Sequence, residues 1–268
     1  MYDSMLESWK QSFSIFLPGN FLAFSKEALS CAWRGYKVWI RYFWWLLLLI
    51  LGVYAYFFLN LEILLADESK LYALDIALVN LHQLLVFVTL VAVCGKPITG
   101  FIQFIKNYWK PFLFLFILFF FFELFSRSLL TFLMKQEGLN IPYVIKTWSF
   151  IAQAFIKQFF FLVWIFFLLD SKVRIKDLGI SFVNTLKLVI RTLPAVVLLV
   201  FALLLPIWIV QRLYIWYYFG ALYHGGVLSG LYQYVGLFIN IPIRYPLYLL
   251  PIQYGFFAAF YDRFKAFG

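Results

Sequence analysis

Cysteine is nearly missing from this chain, which has only Cys31 and Cys94 among its 268 residues. Two thiols separated in sequence predict no disulfide framework, and with only two histidines there is no Cys/His cluster of the kind that holds zinc. Charged residues are scarce as well, at 13% of the chain. The catalytic vocabulary is equally thin. No HExxH, no GxSxG, no phosphate-binding glycine loop and no paired-aspartate motif of membrane phosphotransferases can be found. The glycines at 220, 225, 226 and 230 match none of these patterns. These absences predict a protein that is not an enzyme and carries no cofactor or metal. A secretory signal is missing too: residues 1–20 are mixed in polarity, so the first spanning helix is expected to direct insertion.

What fills the chain instead is apolar. Hydrophobic residues make up 65% of it and fall in blocks, with Phe (35), Tyr (18) and Trp (10) abundant and many of the last two at block edges. Long apolar blocks with aromatic borders are the pattern of a polytopic helical membrane protein. The net charge of +10 is spread over short linkers rather than gathered on one surface, which speaks against nucleic acid and for membrane orientation and anionic lipid.

In chain order, residues 1–20 read as a short lead ending in a Pro18-Gly19-Asn20 turn, and Phe21 to Arg41 as an interfacial amphipathic helix. Six spans are expected, at about 42–65, 75–94, 111–134, 147–169, 194–216 and 241–261, within one membrane domain covering 1–268. Residues 66–74 and 135–146 read as outer loops, Gly95-Lys96-Pro97 as a break, and 170–176 as a charged linker. Amphipathic helices are expected again at 98–109 and 177–191. Pro111 and Pro194 are placed at the starts of their spans, where a missing donor costs least, and Pro206 should kink its span. Residues 217–234 could lie flat on the outer face or dip inward.

The pieces repeat in order. Three times a basic amphipathic segment leads into a span (Arg41-Tyr42, Lys110-Pro111, Arg191 to Pro194), and a loop and a return span follow, the starts being 69 and then 81 residues apart. The fold class is therefore all-α, with six transmembrane helices as three hairpins, each preceded by an interfacial helix. Fifteen Lys/Arg fall in the N-terminal lead, linkers and tail against five in the outer loops and their edges, which places both termini in the cytoplasm. Cys31 and Cys94 then lie near the reducing side.

The sharpest polar lead is inside the apolar blocks. Glu123, Ser126, Arg127 and Thr131 share one helical face of the third span; Ser149, Gln153 and Lys157 form a stripe on the fourth. Antiparallel neighbours joined by a short loop would bring Glu123 and Lys157 to similar depth, with Arg127 about 6 Å further outward. The second span adds Asn80, His82 and Gln83 near that level. Glu123, Arg127, Lys157, His82 and Gln153 thus form the candidate cluster, read either as a transport site or as an ion pair fixing helix register.

Near the end stand Pro251 and then Ala258-Ala259-Phe260-Tyr261-Asp262-Arg263. This resembles the last span of a group of mostly uncharacterised six-helix bacterial membrane proteins, which includes the membrane domain of glycerophosphoryl diester phosphodiesterase. The triplicated plan is similar as well. The group's Leu-Arg continuation is replaced here by Arg263-Phe264-Lys265, and no phosphodiesterase domain follows Gly268, so that activity is not expected. The resemblance implies the fold and a bacterial cytoplasmic (inner) membrane location. The expected role is a structural or homeostatic membrane protein whose partners are anionic lipid headgroups at the cytoplasmic face, a partner protein or a second copy. The alternative is a small permease or channel running past the Glu/Arg/Lys cluster.

Overall fold

The structure, a computed structural model, describes residues 2–59, 68–135, 156–171, 175–223 and 249–268, and every regular element among them is helical. These elements are α1 (Tyr2–Phe13), α2 (Pro18–Val38), α3 (Trp44–Leu59), α4 (Glu68–Val93), α5 (Phe101–Lys135), α6 (Phe161–Asp170), α7 (Ile175–Tyr223) and α8 (Leu250–Phe264). Wide π-helical turns, Trp39–Phe43 and Ile156–Phe160, lead into α3 and α6. Among the described residues three stretches are long and apolar enough to cross a membrane: Pro18–Val53, Phe101–Phe122 and Asp177–Leu203. The chain is on that ground a transmembrane protein.

Several boundaries differ from the sequence reading, each for a local reason. Pro18-Gly19-Asn20 is not a turn but the first turn of α2. The break falls one residue earlier, at Leu17, which is extended with ψ 141° as residues before proline prefer, and Pro18 opens the helix where its missing N–H costs nothing. Residues 68–74 are helical rather than looped, and α8 continues to Phe264, three residues beyond the expected end. Residues 217–223 carry on α7. Pro111 and Pro194 lie inside helices, not at their starts, so each basic amphipathic segment and the apolar stretch after it form one continuous helical run. The expected break at Gly95 is present: Gly95 has φ +70°, its N–H donates to Ala92 O (3.0 Å), and Lys96 N–H donates to Val91 O (3.2 Å). That pair of bonds is a Schellman cap, and the left-handed residue in it favours glycine.

The backbone groups into two compact units. One comprises Leu29–Pro97 and Val197–Gly255. In it α3 packs on α4; Trp39, Phe43, Leu46 and Ile50 form a buried seam on α3 and the turn before it, and Leu85 to Val93 of α4 are buried as well. Gly35 to Ile50 is fifteen residues, one more than two heptads, and the π turn at Trp39–Phe43 absorbs the extra residue so that the seam stays on one face. The indole N–H of Trp39 donates to Thr89 Oγ1 across the seam (3.0 Å). Gly35 permits close approach: a Cβ there would stand 3.1 Å from Pro251 Cβ and 3.4 Å from Val93 Cγ1. Arg34 caps α4, its Nη2 donating to Val93 O at 2.8 Å and contacting Cys31 Sγ at 3.0 Å, a cation placed at the negative end of a helix.

The other unit comprises Met1–Ala28, Ile98–Val196 and Phe256–Gly268. Its centre is α6, buried along most of its length from Phe161 to Leu169. A short helix apolar on every side satisfies itself only when surrounded, and three neighbours do so. Phe114 and Phe122 of α5 meet Trp164 and Phe161 edge-on; Phe182 of α7 meets Trp164; Tyr261 at the end of α8 meets Phe166 and Phe167. Trp164 also donates to Ser181 Oγ (3.0 Å), so α6 is pinned to α7 by a hydrogen bond as well as by rings.

Candidate functional site

The expected cluster is distributed as follows. Glu123 and Arg127 sit one turn apart on α5, and Lys157 is in the π turn that leads into α6. Gln153 lies outside the described residues. The edge-on pair Phe122–Phe161, with centroids 5.1 Å apart, sets the register of α5 against α6. Glu123 follows Phe122 directly and Lys157 precedes Phe161 by four residues, so at 1.5 Å per residue the two backbone positions stand about 1.5 Å and about 6 Å from the level of that ring pair. His82 belongs to the other unit, half-buried on α4. Beside it Gln83 Oε1 is buried without a hydrogen-bond partner among the described residues. Among the described residues no group of three His, Cys, Asp or Glu is placed to hold a metal ion.

The second constellation runs along the heads of the three long helical runs. On α2 and the π turn after it, Lys26, Lys37 and Arg41 are exposed beside Leu22, Trp33 and Ile40, the last 68% exposed. On α5 the exposed Lys106 and Lys110 stand with Trp109 and with Ile102, 71% exposed. On α7 Lys187 and Arg191 accompany Ile180 (60% exposed), Leu186 and Ile190. Cations lie over rings in two of these heads: Lys37 over Trp33 at 5.8 Å, Arg41 over Tyr42 at 5.3 Å, Lys110 over Trp109 at 5.7 Å. Exposed apolar side chains interleaved with ammonium and guanidinium groups suit a surface that is oily on one side and anionic on the other.

A third constellation escaped the sequence reading. The Tyr261-Asp262-Arg263 segment that ends α8 is bolted to distant acids and bases of its own unit. Arg263 makes a bidentate pair with Glu27 (2.7 and 2.8 Å) and lies over the Phe24 ring at 5.4 Å. The hydrogen bond to Glu27 holds the Arg263 guanidinium above its ordinary value, so it remains cationic. Tyr261 donates its hydroxyl to Asp170 Oδ2 (2.9 Å), Lys265 pairs with Asp262 (3.1 Å), and Arg191 donates to the carbonyl of Phe267 (2.9 Å). Nothing local announces these pairs, because Glu27 is 236 residues from Arg263 and Asp170 is 91 from Tyr261. The one signal available in sequence is Glu27 itself, an acid amid the basic residues of α2. The arrangement fastens the end of α8.

α1 is attached by a related device. A proline within a helix leaves the carbonyl four residues earlier without its N–H partner. For Pro194 that carbonyl is Ile190 O, and the indole of Trp9 donates to it at 2.9 Å. Comparison of the chain with protein-family models, with curated proteins and with solved structures yields no match.

Proposed function

We propose that the protein is a non-enzymatic, six-span membrane protein, built as three hairpins with both termini in the cytoplasm of a bacterium, which engages anionic lipid or a partner protein at the cytoplasmic face of the inner membrane. The observation that carries this reading is the triplicated head: each long helical run opens with exposed basic residues interleaved with exposed large apolar ones, and each then runs into an apolar stretch. Basic residues near an anionic bilayer contribute about 1 kcal/mol each, so three such heads would hold the bundle firmly at one face. The apolar stretches Asn80–Val93 and Phe161–Asp170 supply parts of two return spans, and α8 supplies the third.

A permease is the second reading, favoured by the ionisable positions Glu123 and Arg127 on α5 and Lys157 in the turn that leads into α6. Reconstitution into liposomes separates the two. Silence toward a broad panel of solutes, with retention of anionic over zwitterionic lipid on purification, is the expected outcome. Solute flux abolished by Glu123→Gln would replace it with a permease.

A further inference from the structure

Beside Pro194 the chain forms an open groove of about 420 Å³, lined by Leu6, Trp9, Lys10, Phe13, Ser14, Leu17 and Pro194. We propose that this groove binds one acyl chain of an anionic phospholipid whose phosphate rests on Lys10. Its size falls within the roughly 300–1,000 Å³ of small-molecule sites. Leu6, Phe13 and Leu17 are exposed, Leu17 by 58%, which in contact with water leaves apolar surface uncovered and in contact with a hydrocarbon chain does not.

The polarity of the lining selects the occupant. A peptide laid in the groove would need partners for its backbone N–H and C=O groups. The side chains of the walls carry the Lys10 amine, the Ser14 hydroxyl and the Trp9 indole, and the last two already donate to Gln11 O at 2.7 Å and Ile190 O at 2.9 Å. An acyl chain brings no such groups. Charge then selects the headgroup: Lys10 is the one cation among the residues that line the groove, and it is exposed. The acid of α1 closest to Lys10 in sequence, Glu7, is exposed and does not line the groove. The device that docks α1 also shapes the site, since the Trp9 to Ile190 carbonyl bond sets one wall against the proline.

This inference rests on the lipid-engaging reading above, and the test separates the two. The full-length protein in detergent is titrated with phosphatidylglycerol and with phosphatidylcholine, and bound lipids are counted by native mass spectrometry. The expected results are preference for phosphatidylglycerol, loss of one lipid per chain in Ser14→Trp, which fills the groove, about fivefold weaker binding of that lipid in Lys10→Ala, and no change in Leu113→Trp, which places the same side chain on an exposed part of α5. Should Ser14→Trp fail to fold, Lys10→Ala decides alone, because its side chain is at the surface. Phosphatidylglycerol retained equally by both groove variants overturns the groove site and leaves the lipid-engaging reading standing. No preference for phosphatidylglycerol in the wild type overturns both. A dimer that Ser14→Trp dissolves shows that a second copy fills the groove, and overturns the site as well.

Discussion

Trp9 meets a defect that Pro194 creates, and the pair can be tested as a unit. Phenylalanine at position 9 keeps the ring but leaves the Ile190 carbonyl without a donor, a loss of about 1 kcal/mol. In a Pro194→Ala background the backbone N–H of residue 194 takes that carbonyl, so Trp9→Phe should then cost almost nothing; a thermal-unfolding double-mutant cycle in detergent that finds equal costs in both backgrounds would contradict the assignment. Glycines provide a contrast at the same scale. Gly35→Ala places a methyl 3.1 Å from Pro251 and should cost about 1–3 kcal/mol. Gly179→Ala in α7 meets nothing within 4 Å and should be neutral or stabilising by about 0.5–1 kcal/mol, as helix propensity alone dictates. Melting temperatures that rank the two variants the other way round would refute the packing described at Gly35.

Among the elements, the π turn before α3 makes an unusual prediction about deletions. Removing Ile40, an exposed residue inside the turn, restores two whole heptads between Gly35 and Ile50 and should convert the turn to ordinary α-helix with the seam intact. Removing Leu48, also exposed but beyond the turn, rotates Ile50 off the seam and should lower stability by several kcal/mol, the cost of withdrawing a buried side chain. Comparable stability of the two deletions, measured by denaturant or thermal unfolding, would show that the turn does not absorb the extra residue. The end of α8 is an element held by charge. Glu27→Arg and Arg263→Glu should each lower the melting temperature by roughly 2–4 °C, and the double swap should recover much of it, since the bidentate pair is partly exposed and worth about 1 kcal/mol. Failure of the swap to recover stability would assign the effect to packing of Arg263 on Phe24 instead.

For the whole molecule the proposal of six spans predicts that reporter fusions at Asp67 and Lys265 read opposite sides of the membrane; the same side for both would remove it. Much of the general plan was legible without coordinates. Apolar blocks, their aromatic borders and the placement of Lys and Arg depend on composition alone, and so the sequence by itself determined an all-helical transmembrane chain with three basic heads leading into apolar stretches. The Gly95 break was readable too, because a left-handed cap is a local demand that glycine meets. Likewise Glu123 and Arg127 share a helical face by their spacing. The sequence reading failed where a local penalty is offset from far away. Pro194 reads as a helix start because its cost inside a helix is visible, while the compensating indole comes from Trp9, 181 positions from the Ile190 carbonyl it satisfies. Tyr261 and Arg263 stood out as a motif, yet their partners Asp170 and Glu27 acquire meaning only once the first half of α2, α6 and the end of α8 are packed within one unit. Tertiary structure alone decided that the amphipathic heads and apolar stretches are continuous helices, and that α1 and the end of α8 are fastened by long-range polar bonds, because hydrogen-bond partners are chosen by proximity in space and not by neighbourhood in the chain.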